Sequence, residues 1–247
     1  MIEIQELTKK YGKFTAVQGI TLSVQPGEVF GFIGPNGAGK TTTIRMLGGI
    51  LAPTAGTIRI TGICMARQPE AAKQQIGFIP DRPFLYEKLT GFEFLRFSAD
   101  LYGVPPREFP GRARDYLAKF ALTEWAHELV EAYSHGMKQR LIMAAALLHD
   151  PAVVIVDEPM VGLDPKAIRI VRELFRELAR QGKSVFMSTH TLSIAEKVCD
   201  RIGVIHRGRL VATGNARELR QMAEITEGDL EQVFMRLTED NVQKGNE

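Results

Sequence analysis

Apolar residues recur along this chain at two periods. Ile2 and Ile4 alternate with polar neighbours, as do Ile20, Leu22 and Val24, and Thr57 to Ile60 alternates again. Alternation predicts strands with one buried face. Val29-Phe30-Gly31-Phe32-Ile33 and Ala152-Val153-Val154-Ile155-Val156 are continuous apolar runs, which suit strands covered on both faces. Gly77-Phe78-Ile79 and Lys183 to Thr189 predict two further strands, and Ile202–Ile205 with Leu210–Thr213 reads as a hairpin turning at His206-Arg207-Gly208-Arg209. Helical spacing enters at Thr42 to Leu51, which predicts a helix stopping near Pro53. Ile168, Val171, Leu174, Phe175 and Leu178 form one face of another helix. From about Glu87 to Leu148 strand signals vanish. Phe94, Leu95, Leu101, Tyr116, Leu117 and Phe120 sit at helical spacings around a loop at Gly103-Val104-Pro105-Pro106, so a helical insertion is expected. Leu230, Val233, Phe234 and Leu237 at i, i+3, i+4, i+7 predict a short amphipathic helix, and Asp240 to Glu247 read as a frayed end.

This order predicts an α/β chain, and 247 residues with 45% hydrophobic content suffice for a substantial core. Lys plus Arg is 31 against 29 for Asp plus Glu, a net +2 that gives no argument for nucleic acid as partner. The two cysteines, Cys64 and Cys199, form no CxxC pair, so they are expected to be small packing residues in a reducing cytosol. The longest apolar run, Leu141 to Leu148, is far short of the roughly 20 residues a membrane span needs. The first residues lack the basic and apolar regions of a signal peptide, so none is expected.

Chemistry concentrates where the first continuous apolar run ends. Gly34-Pro35-Asn36-Gly37-Ala38-Gly39-Lys40-Thr41 fits the G-x-x-x-x-G-K-[ST] pattern, with a buried strand before it and a helix after it. Glycines let backbone close around a phosphate, and successive N–H groups at a helix start point at the anion. Lys40 adds a mobile positive charge, the Thr41 hydroxyl suits Mg²⁺, and Thr42 can reach a further phosphate oxygen. The second apolar run ends in Asp157-Glu158-Pro159. Asp157 is then placed to hold Mg²⁺ through its water shell, and Glu158 is the candidate general base or the group that orients an attacking water. His190, closing the strand before it, is a candidate γ-phosphate contact, with an ordinary structural histidine as the alternative.

With these residues in view, the chain resembles the ATP-binding cassette (ABC) family over nearly its whole length. The carriers are GPNGAGKTT at 34–42, YSHGMKQRL at 133–141, VVIVDEP at 153–159, GLDP at 162–165 and STH at 188–190, in that order. The resemblance implies a P-loop NTPase core with a mainly parallel sheet, an N-terminal antiparallel β subdomain and an inserted helical subdomain. It implies one ATPase domain over 1–220 (core about 1–84 and 151–214, helical part about 85–150) and a C-terminal extension over 221–247. ATP and Mg²⁺ are the implied ligands. Tyr11 is the implied adenine-stacking ring, with Phe14 as competitor. Ser134, His135 and Gly136 would meet ATP held by a second cassette, in a homodimer or heterodimer. Asp164 would cross that interface.

Two departures stand out. Asp81 occupies a position where the family usually has Gln, a residue that touches Mg²⁺ or water and couples to the membrane partner. His135 and Met137 replace a glycine and a polar residue of the LSGGQ element, so His135 either donates to a γ-phosphate or faces solvent. The segments from Leu85 to Leu95 and from Asp229 to Phe234 are similar to the subfamily that drives two-component bacterial exporters. That resemblance implies a separate transmembrane permease and a peripheral place on the cytoplasmic face of the membrane.

Overall fold

The computed structural model describes residues 1–82, 84–160, 163–225 and 229–244, with the side chains of 239–244 left aside. Two sheets stack at the heart of the molecule. The first is antiparallel, in the order β2 (Phe14–Val24), β1 (Ile2–Tyr11), β4 (Ala55–Ile60), β5 (Ile63–Cys64). The second runs β10 (Arg209–Gly214), β9 (Arg201–His206), β3 (Val29–Ile33), β8 (Ser184–Thr189), β7 (Val153–Asp157), β6 (Ile76–Ile79). Its strands are parallel except for the β9–β10 hairpin. The expected mixture of a parallel core and an antiparallel N-terminal sheet is therefore present.

Strands β3 and β7 and all of β8 are buried at every position. Their side chains divide by parity, as the two-residue repeat requires. Phe30, Phe32, Val153, Ile155 and Phe186 join the first sheet and α1 (Lys40–Leu47) in one apolar layer. Val29, Val154, Val156, Val185 and Met187 face the opposite layer, which is continuous with the helical insertion. Continuous apolar runs were the signal for this two-sided burial. The insertion comprises α3 (Gly91–Leu101), α4 (Phe109–Lys119) and α5 (His135–Leu147), after a short α2 (Pro69–Lys73). Thr90 starts α3 with a reciprocal cap: its hydroxyl accepts from the Glu93 N–H, and Glu93 accepts from the Thr90 N–H. The only strand-like contact inside the insertion, among the described residues, is a single bridge between Thr90 and Leu129.

The helices α6 (Pro165–Arg180), α7 (Leu192–Val198), α8 (Ala216–Met222) and α9 (Leu230–Lys244) complete the fold. Leu230, Val233 and Leu237 of α9 pack with Ala195 of α7, Leu219 of α8 and Ile33 of β3 in a third apolar cluster. The amphipathic tail is thus a docked helix of 15 residues. It continues to Lys244, past the expected fraying at Asp240; 245–247 lie outside the described residues, as does Gly162 of the GLDP element. Helix α1 begins at Lys40 and is capped at Gly48, several residues before Pro53. Cys199 fits its packing role: a Cβ on Gly31 would stand 2.7 Å from its Sγ, and burial pushes its thiol pKa up.

Where the insertion meets β6, a tight contact stands beside a stacked pair. A Cβ on Gly77 of β6 would lie 2.6 Å from the carbonyl oxygen of Ala146 in α5. Beside it, His149 stacks on Tyr102 with ring centroids 3.9 Å apart, and its Nε2 lies 3.1 Å from the Ile76 carbonyl. Burial lowers the His149 pKa to about 4. The unfolded chain therefore binds the proton first, near the ordinary value of 6.5, and acid favours unfolding. Stability carried by neutral His149 is complete above pH 6.5 and is lost as pH falls from 6.5 toward 4. Allowing for its remaining contact with solvent, the loss is about 1–2 kcal/mol. Urea midpoints measured across this window are expected to fall less in His149→Phe than in the wild type. Gly77→Ala is expected to lower stability by about 1–3 kcal/mol at any pH, through overpacking against α5, in the same titration.

Candidate nucleotide site

The loop that leaves β3 is shaped by contacts only glycine tolerates. A Cβ on Gly34 would lie 2.4 Å from the Ile205 carbonyl oxygen. Gly39 has φ +109, and its Cβ would lie 2.6 Å from the Ala16 carbonyl. Gly37 also has positive φ, at +80, but its added Cβ would meet nothing within 4 Å. The loop is thus pinned at its two ends, between β9 and β2. Ala38 is buried in the first-sheet layer and its carbonyl accepts from the Gly208 N–H at 2.9 Å. Gly39 offers no side chain to cap α1, so the first N–H groups of that helix face the loop mouth.

Lys40 is 6% exposed. Its Nζ donates to the carbonyls of Gly34 at 2.7 Å and Pro35 at 3.2 Å, and lies 3.8 Å from Glu158 Oε1. Burial pulls its pKa down, while Glu158 and Asp157 oppose that pull. Asp157, the last residue of β7, is also buried. It accepts a short hydrogen bond from the Ser188 hydroxyl and is hydrogen-bonded to Thr41. Burial pushes the Asp157 carboxyl up; the bonds to Ser188 and Thr41 act against this, and the charges of Glu158 and Asp81 add to it.

Glu158 follows with φ +50, a left-handed conformation rare for a side chain of its size. Its N–H is held at 3.2 Å by both the carbonyl and the hydroxyl of Ser188. The turn aims its carboxylate back over the groove. There Oε1 lies 3.0 Å from His190 Nδ1, and Oε2 accepts from the His190 N–H at 3.4 Å. The His190 side chain is half exposed, so its remaining ring nitrogen is left for the groove. Strain of this kind costs about 1–3 kcal/mol and is retained where function needs an aimed side chain.

Lys40, Glu158 and His190 line one groove of about 500 Å³, together with Tyr11, Phe14, Ala16, Asn36, Gly37, Gly39, Thr41, Thr42 and Asp81. Tyr11 and Phe14 are opposite one another at the β1–β2 turn, and both are exposed, so the choice between them as the stacking ring stays open. The donors suit Mg²⁺. Thr41 and Asp157 present a hydroxyl and a carboxylate that already share a hydrogen bond, so one ion can be held by both. Among the described residues no three acids, cysteines or histidines are close enough to enclose a metal by themselves.

Ser134, His135 and Gly136 are elsewhere, at the start of α5. Ser134 caps the helix, its Oγ accepting from the Met137 N–H at 3.3 Å, and Ser134 and His135 are exposed. They do not line the groove of their own chain. Asp164 caps α6 by accepting from the Ala167 N–H at 2.7 Å, and Pro165 follows as the first helical residue, a common helix start. Sequence reasoning missed Ser188 as a site residue. It anchors both Asp157 and Glu158, and its only sequence signal was its place two residues before His190.

Comparison with known proteins agrees with this geometry. The ABC transporter family matches residues 17–161. The Nod factor export ATP-binding protein I of Paraburkholderia xenovorans (strain LB400) is 41% identical over 213 residues, 86% of this chain and 70% of that protein. A structure of the ATP-binding subunit of an ABC transporter superposes with a TM-score of 0.91 at 35% identity, covering 96% of this chain and 99% of the other. A dimeric ATP-binding cassette in a post-hydrolysis state with ADP and Pi superposes at 0.78 with 25% identity, covering 87% and 98%. The chain belongs to the ABC transporter family, as an ATP-binding subunit of the ABC ATPase fold.

Gly39→Ala is expected to abolish nucleotide binding, because the loop cannot keep its path past Ala16, whereas Gly37→Ala should retain most of it. Lys40→Ala is expected to weaken binding by about 1.5–3 kcal/mol, roughly 10–100-fold. Titration with a fluorescent ATP analogue reads all three.

Proposed function

We propose that this chain hydrolyses ATP to drive an ABC exporter, working as one of two cassettes beneath a separate membrane-spanning permease. The observation that carries the reading is the carboxylate of Glu158, held between Lys40 Nζ at 3.8 Å and His190 Nδ1 at 3.0 Å at the mouth of the glycine loop. In this position Glu158 takes up the proton of an attacking water, or orients that water. Lys40 and the α1 N–H groups hold the β- and γ-phosphates and stabilise the charge that develops between them. His190 fixes the Glu158 carboxylate through Nδ1 and offers its other nitrogen to the γ-phosphate. Thr41 and Asp157 would hold Mg²⁺, which supplies charge neutralisation at the phosphates when bound. Tyr11, or Phe14, stacks on the base; Gly34, Asn36, Gly37, Ala38, Gly39 and Thr42 wrap the phosphates.

The second half of the site comes from another cassette. Ser134, His135 and Gly136 present a capped, exposed helix start that has no use for the groove of its own chain, and this supports closure of two cassettes head to tail over two ATP molecules. Asp164 lies at that interface. Residues 1–220 then form the ATPase domain and 221–247 its C-terminal extension.

Among the described residues no helix is long and apolar enough to cross a membrane. In this reading the permease is a separate chain and the subunit sits against it at the cytoplasmic face. The coupling surface is the stretch from Asp81 to Glu87. There Phe84 is 78% exposed and pairs edge-on with Tyr86, which pairs with Phe97. Export is favoured by the Nod factor relative and by the exporter-like segments.

Glu158→Gln keeps the shape of the site and removes the charge that activates water. Turnover is expected to fall at least about 10²-fold. The mass of this variant in solution should double only when MgATP is added. Binding of ATP without any change in mass would overturn the homodimeric form of the reading.

A further inference from the structure

The turn between β9 and β10 is far from the glycine loop in sequence and against it in space. His206 is paired with Arg209, so Arg207 and Gly208 form a two-residue turn. Both have positive φ, at +48 and +79, as a tight hairpin of the right twist requires. Asparagine or aspartate would serve the twist as well. Gly208 is restricted further by what surrounds it: a Cβ there would lie 2.8 Å from the Ala16 carbonyl oxygen. Its N–H donates to the Ala38 carbonyl of the glycine loop at 2.9 Å, and its own carbonyl accepts from the Gln18 N–H of β2 at 2.7 Å. The Arg209 side chain repeats the second link, donating to Gln18 Oε1 at 3.0 Å. One residue is thus bonded both to the phosphate loop and to the strand that carries Phe14, across the gap between the two sheets.

The loop and the strand meet different parts of a nucleotide. The loop takes the phosphates, and the β1–β2 turn offers the ring for the base. Tyr11 and Phe14 are paired with each other, so either ring moves with β2. Sheet pairing alone defines this end of β2 poorly, because the β1–β2 register shifts between Leu7 and Lys9 and again between Lys9 and Lys10. The Ala16 carbonyl, two residues from Phe14, is where loop, strand and turn converge: a Cβ on Gly39 would lie 2.6 Å from it, and one on Gly208 2.8 Å. The loop has a separate anchor at Gly34, packed against Ile205. A methyl on Gly208 therefore displaces β2 and its rings more than the phosphate loop. We propose that Gly208 is a positioning residue that fixes the span from the base-stacking ring to the phosphate loop, so that one nucleotide engages both at once. The proposal rests on the ATP-site reading above and gives a role to a hairpin which that reading leaves unused.

The test compares full-length wild type with Gly208→Ala, and with Gly62→Ala as a control. Gly62, in the β4–β5 turn, has φ +83 but open space where a Cβ would stand, so the control carries the backbone strain without the contact. Calorimetry in MgCl2 gives dissociation constants for a non-hydrolysable ATP analogue and for inorganic tripolyphosphate, which has no base. Gly208→Ala is expected to weaken the analogue by about tenfold, the order of one lost stack of a base on an aromatic ring. Its affinity for tripolyphosphate should stay at the wild-type value, and Gly62→Ala should change neither. In a chain already lacking both rings, through Tyr11→Ala and Phe14→Ala, Gly208→Ala should cost no further affinity. If Gly208→Ala does not fold, Arg209→Ala removes only the exposed side-chain link; it should weaken the analogue by about threefold, again with tripolyphosphate unchanged. Equal losses for both ligands, or no loss for either, would mean that the hairpin does not set the span, and the proposal is wrong. Wild type that binds the analogue no more tightly than tripolyphosphate would remove the stacking ring from the ATP-site reading, and the proposal would fall with it.

Discussion

Everything at this site depends on three adjacent parallel strands ending at one level. Ile33 of β3 is paired with Thr189 of β8, and Ser188 of β8 with Asp157 of β7. The glycine loop, the two acids and His190 therefore emerge within a residue or two of one another, although the loop lies more than a hundred positions before the others in the chain. Parallel strands can hold such a register only when covered on both faces, because their connections cross over the sheet. The apolar layers on either side are what keep the chemistry in line. Open α/β sheets place ligands at this end for the same reason.

Burial also sets the electrostatics. Lys40 and Asp157 are both withdrawn from water, and each is kept in place by hydrogen bonds rather than by direct pairing with the other. Ser188 is the hinge of the arrangement: its hydroxyl serves Asp157, and its hydroxyl and carbonyl together hold the N–H of Glu158. That grip stabilises the left-handed turn at Glu158, without which the carboxylate would leave the groove. The phosphate cradle is built from the ends of β3, β7 and β8, while the helix start at Ser134 is exposed and away from the groove.

Much of this was legible in the sequence because it obeys short-range rules. Continuous apolar runs identified β3 and β7, and the loop pattern identified the cradle. Elements whose stability comes from distant partners were not legible. Strand β5 has two residues, and α7 and α8 have seven each, too short for a periodicity to develop. Ser188 was hidden because a serine in a buried strand looks like any small residue until the strand beside it is known. The backbone conformation of Glu158 was hidden too, since glutamate has no preference for positive φ. The extent of α9 was underestimated because its stabilising contacts lie on α7, α8 and β10.

That last cluster has a temporal side. Ile33 supports the root of the glycine loop, and its partners in α9 are made about two hundred residues later. At ribosomal speeds of about 5–20 residues per second, the wait is roughly 10–40 s. During that interval the cluster around Ile33 is incomplete, and apolar surface that it will bury is open to chaperones. The nascent chain thus makes the root of the glycine loop early and fills the apolar cluster that contains it late, once α9 has been made.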